Sequence, residues 1–230
     1  MRYLPPIANF VLHYVVAKRD LASDLAAVGA MLPDLWRMAN RRARPALTPV
    51  ASEEPRVERV LAGIAHHAAF DASFHASSAF TEGERTTRDA LATVGAPRIT
   101  LFAHVAWEMA LDGALVRRGD GALLSSLRAD LDEATRDDAT QEAARLHFRT
   151  RDREVPADFA ARMDHFLREL ARGPFVSGYA HAAEIAARLD AIRARVGVAR
   201  LTADERLAVE TAMRSIEPLT EPALVALGVT

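Results

Sequence analysis

The chain has 230 residues, 50% of them hydrophobic and 26% charged, with a formal net charge of −2 and no cysteine. The missing cysteine rules out disulfides and thiolate metal sites, and near neutrality removes any global electrostatic case for nucleic acid or an anionic membrane. An alanine-rich composition with only 6% aromatic residues favours helix over sheet, and the length suits one sizeable core.

Helical periodicity runs through most of the chain, cut by proline and glycine. Pro5-Pro6 suits the first turn of a helix over 7–18. The apolar run 7–17 is too short to span a bilayer, and Asn9 and His13 within it make a poor signal peptide, so a cytoplasmic protein without a membrane span is expected. A second helix is expected over 20–31, interrupted at Pro33, and a short one over 35–42. A loop is expected over 39–55, clearest over 43–55, where there are three prolines and no apolar period. Helices follow over 56–80 and 84–94, the latter ended by Gly95-Ala96-Pro97, and over 99–118, closed by Gly119-Asp120-Gly121. Three more cover 122–133, 138–148 and 157–172, and Gly173-Pro174 separates a long helix over 176–196. Thr202 with Asp204 and Glu205 marks a further helix start, and 218–230 reads as a short helix or a tail. No strand-length alternation stands out. The expectation is an all-α, single-domain helical bundle over 1–230.

Two of these helices carry ionisable residues four apart: His67, Asp71 and His75 in one, and His104, Glu108 and Asp112 in the other. Two steps of four residues advance only about 80° around a helix axis, so each run lies along one stripe. If the stripes face each other, imidazole and carboxylate form a cage in the bundle core. His13 lies mid-helix in an apolar stretch where an unpaired imidazole is costly, and Asp34 follows Pro33, where a carboxylate can turn into a pocket. His13, Asp34, His67, Asp71, His104 and Glu108 are therefore the candidate ligands for one or two divalent ions. Mixed nitrogen and oxygen donors suit Zn²⁺, Mn²⁺ or Fe²⁺ over Ca²⁺ or Mg²⁺. His66 sits about 100° off the stripe and is expected beside the site. Arg37, Arg41, Arg42 and Arg44 form a basic cluster able to receive a phosphate or an acidic protein.

The order of the motifs NFVLHYVVA, GAMLPDLWR, GIAHHAAFD and RITLFAHVAWEMAL resembles the acyl carrier protein phosphodiesterase family, helical relatives of the HD-type metal phosphohydrolases. His13, Gly29 through Asp34 with Arg37, and Gly63, Ile64, His67 and Asp71 match its successive segments, and 99–111 matches a later one in position. The chain departs from the pattern at Ala68, where the family has Arg, and at His104, Glu108 and Met109. The resemblance implies an HD-like fold and metal-dependent phosphodiester hydrolysis, with phosphopantetheine released from a serine of acyl carrier protein. In that mechanism His75 or Asp112 handles protons and Arg37 offsets phosphate charge. The spacing of His and acid residues is also similar to that of the zinc-dependent phospholipase C and nuclease group. The alternative to an enzyme is a helical domain whose His and acid residues merely pair in its core.

Overall fold

The computed structural model describes residues 9–40, 42–46, 50–136, 138–150, 153–154, 156, 158–172 and 174–229. In chain order the helices are α1 (Phe10–Leu21), α2 (Asp24–Gly29), α3 (Leu32–Ala39), α4 (Pro55–Ala76), α5 (Ser78–Ala92), α6 (Ala103–Arg118), α7 (Ala122–Ala134), α8 (Ala139–His147), α9 (Asp158–Arg172), α10 (Ala182–Arg195) and α11 (Ala203–Ala226). Short 3-10 turns at Ile99–Phe102 and Ser177–Ala180 lead towards α6 and α10. The protein is all-α, apart from three very short strands, β1 (Arg44–Pro45), β2 (Phe148–Thr150) and β3 (Arg153–Glu154).

The contacts divide the chain into two compact units. One comprises Phe10–Asp71 and Gly121–Pro174, the other Met1–Asn9, Ala72–Asp120 and Phe175–Thr230.

In the first unit α1 is buried nearly all round through Phe10, Val11, Leu12, His13, Tyr14 and Val16, as a helix apolar on every face must be. Its polar exit is fixed to α7, where the Tyr14 hydroxyl donates to Asp130 Oδ2 at 2.6 Å and Lys18 pairs with Asp130 and with Ser126 Oγ at 2.9 Å. α2 meets α4 at two glycines. A Cβ on Gly29 would lie 2.3 Å from the Val60 carbonyl oxygen, and one on Gly63 would lie 1.9 Å from that of Ala26. Helices α3, α7 and α8 pack on α9. β1 pairs antiparallel with β2, and β2 with β3.

In the second unit α5, α6 and α10 pack against α11. Gly83 on α5 admits the Trp107 indole of α6, which is wholly buried. The stretch Ile99–Arg118 is long and apolar enough to cross a membrane by composition alone, and 83% of its apolar window is buried inside the protein.

Several boundaries differ from the sequence expectation. Pro33 lies in the first turn of α3, where its missing N–H costs nothing, so the helix begins ahead of it. The helix expected over 56–80 is interrupted at Ser77, whose hydroxyl accepts from Phe80 N at 3.1 Å and starts α5. The expected loop contains β1, and the helix expected to end at 148 stops at His147 so that Phe148 can join the sheet. The expected tail is the last third of α11, which continues through Pro218 and Pro222 because Ile216, Thr220, Ala223 and Leu224 are buried along its length. Thr202 and Glu205 form a reciprocal capping box at its start.

Candidate metal centre

In the first unit, α4 begins where the Glu54 carboxylate accepts from Val57 N at 2.6 Å, satisfying one of the orphan donors of its first turn. The close crossing at Gly63 then sets the next turn against the chain that follows α2. One turn beyond Gly63, His67 Nδ1 meets the Ala30 carbonyl oxygen at 2.8 Å. A carbonyl only accepts, so Nδ1 carries the proton and the ring lone pair lies on Nε2, the arrangement a metal-ligating histidine uses. The His13 ring stacks on His67 with centroids 3.8 Å apart, and the Phe70 ring meets His13 edge-on. His13 Nε2 is 3.8 Å from Asp71 Oδ1; the imidazole is enclosed, whereas the carboxylate is 37% exposed. His13, His67 and Asp71 thus form one group whose donor atoms all lie within 4.8 Å of one another.

In the second unit, His75 from the end of α4 and His104 from α6 converge on Glu108. Their Nε2 atoms are 3.3 and 3.0 Å from Glu108 Oε1. Phe80 of α5 packs edge-on against both rings, at 4.4 and 4.8 Å between centroids. Glu108 is 1% exposed, and its Oε2 has no hydrogen-bond partner among the described residues. These three residues form the second group within the same 4.8 Å limit.

Both groups could hold a first-row divalent ion. Two donors on one zinc-sized ion, with bonds of about 2.1 Å, lie at most about 4.2 Å apart. The donor pairs at 3.0, 3.3 and 3.8 Å satisfy that limit, and the remaining donors lie within 4.8 Å, so a shift of at most about 0.6 Å brings every pair inside it.

Five of the six ligands expected from sequence fall in these groups: His13, His67 and Asp71 in one, His104 and Glu108 in the other. His75, expected to handle protons, stands instead among the donors of the second group. Asp34 is buried on α3 and Asp112 is fully enclosed on α6, and neither belongs to a group found among the described residues. The side chain of Arg37 lies outside the described residues, as does Arg41. His66 stands beside the first group as expected, its Nε2 3.0 Å from Asp20 Oδ2. Ala30 and Phe80 were not legible as site residues: a carbonyl carries no side-chain signature, and Phe80 reads as ordinary core.

Comparison of the chain with protein-family models, curated proteins and solved structures finds no match, so the site's own geometry carries the functional reading.

Proposed function

We propose that this chain is a divalent-metal-dependent phosphoester hydrolase whose ion is held by His13, His67 and Asp71, in an HD-like helical fold. The observation that carries the reading is the Ala30 carbonyl on His67 Nδ1, which orients the imidazole as a ligand beside a second histidine and a carboxylate. A divalent cation there supplies Lewis acidity towards a phosphoryl oxygen and towards water. His13 and His67 bind from the enclosed side. Asp71, the most exposed of the three, is the donor open to solvent. In the reaction a water oxygen bonds to phosphorus as the P–O bond to the alcohol breaks. Asp71 takes a proton from the water, and the departing alkoxide takes one from solvent. Among phosphodiesters, the motif order favours the bond joining phosphopantetheine to a serine of acyl carrier protein, an acidic partner suited to the arginines over 37–44.

The test is hydrolysis of bis-p-nitrophenyl phosphate by the native protein and by Asp71→Ala, followed by a panel of phosphopantetheinylated acyl carrier protein, phospholipid and nucleotide diesters. The native protein turns over the model diester, and the variant loses about 100-fold or more. Equal turnover by both rejects the site, and preference for phospholipid or nucleotide rejects the carrier-protein substrate.

A further inference from the structure

The His75–His104–Glu108 group calls for an account of its own, because all three residues belong to the second unit and their donor atoms converge there without help from the first. A helix-stabilising i,i+4 contact explains His104 against Glu108, but not the arrival of a second imidazole from α4 at the same carboxylate oxygen. Nor does it explain Glu108 Oε2, an oxygen closed off from water with no hydrogen-bond partner among the described residues. An unsatisfied buried carboxylate oxygen of this kind is costly, and a cation held at the neighbouring Oε1 between the two imidazoles would offset the buried negative charge. Phe80 holds both rings from their edges, so their orientation is set by packing. The imidazoles are 26% and 28% exposed, which leaves an open side for the ion to enter.

We infer that His75, His104 and Glu108 form a second metal site, selective for a first-row divalent transition ion such as Zn²⁺ or Co²⁺, that binds independently of the His13–His67–Asp71 group. Two neutral nitrogens and one carboxylate favour such an ion over Mg²⁺ or Ca²⁺, which take oxygen ligands. A bound ion ties the end of α4 to α6 beneath Phe80, and water fills its remaining positions. This inference does not rest on hydrolysis.

The experiment uses the full chain, stripped with chelator, dialysed against Zn²⁺ and measured by elemental analysis. Native protein is expected to hold two equivalents. Glu108→Gln and His104→Gln should each hold one, Asp71→Ala one, and the Asp71→Ala/Glu108→Gln double variant none. Cobalt-loaded Asp71→Ala should keep visible d–d absorption that the double variant loses. Circular dichroism melts establish that each variant is folded; if the buried Glu108→Gln is not, the half-exposed His104→Gln decides. Two equivalents retained in folded Glu108→Gln and His104→Gln while Asp71→Ala holds one, or one native equivalent lost only with Asp71→Ala, overturns this site and leaves the proposed function standing. One native equivalent lost only with Glu108→Gln or His104→Gln upholds this site and overturns the other.

Discussion

Gly63→Ala sets two known effects against each other at the contact that positions His67. Helix propensity favours alanine inside α4 by about 1 kcal/mol. The new methyl, however, would lie 1.9 Å from the Ala26 carbonyl oxygen and 2.8 Å from Ala30 N. Both are backbone atoms and cannot rotate away. Relief requires α4 to retreat from α2 by about 1 Å, an overpacking cost of about 1–3 kcal/mol. The net effect is a loss of about 0–2 kcal/mol, and each kcal/mol lowers the melting temperature of a chain this size by about 2–4 °C. The same retreat would open the 2.8 Å bond from His67 to Ala30 to nearly 4 Å, beyond hydrogen-bonding range. Losing that support should weaken metal binding by about 10–100-fold. Thermal melts of the metal-free protein and calorimetric titration with Zn²⁺ read the two consequences separately. A variant that is more stable than native and binds Zn²⁺ unchanged would refute the reasoning, since propensity would then have outweighed the clash.

Other perturbations have effects of definite sign. Burial alone would raise the Asp190 carboxyl, but the Leu201 amide at 2.7 Å and the Arg200 and Arg206 guanidiniums outweigh it and hold it below the usual 3.8. That contribution is complete above 3.8 and is lost as pH falls through the lowered folded value, so Asp190→Asn should flatten the acid limb of a stability–pH curve. Burial holds His147 below its ordinary 6.5, with Arg149 adding to the shift, so its contribution is present above 6.5 and fades as pH drops further; His147→Gln should remove that slope in denaturant titrations at stepped pH. Lys18→Met leaves the largely buried Asp130 without its cation and should cost about 1–3 kcal/mol by urea denaturation, whereas a change within ±0.3 kcal/mol would reduce the α1–α7 tie to surface pairing. Thr202→Ala removes half of the capping box of α11 and should cost about 1 kcal/mol by the same assay.

The sequence carried the helices and most of the site, for physical reasons that differ from residue to residue. Four-residue spacing is a property of the chain itself, so the stripes holding His67, Asp71, His104 and Glu108 were visible before any fold was known. His13 stood out because an imidazole in an apolar helix needs partners, and it stands stacked on His67 with its Nε2 3.8 Å from Asp71 Oδ1. Spacing carries no information about which stripe meets which, so the grouping of His75 with His104 and Glu108 depended on contacts between segments far apart in sequence. The same limit hid the division into two units and the pairing of Arg44–Pro45 with Phe148. The end of the chain from Pro218, which reads as a short helix or a tail, continues α11 for another reason. Local propensity argues against helix there, and the burial of Ile216, Ala223 and Leu224 overrides it.

Hydrolysis of a phosphodiester across one cycle of chelation and metal return tests the central claim most directly. Turnover should vanish when the ion is removed from protein that remains folded, and should return in step with metal rebound by native chain but not by Asp71→Ala. Turnover that survives complete metal removal, or that Asp71→Ala recovers in full, would contradict it.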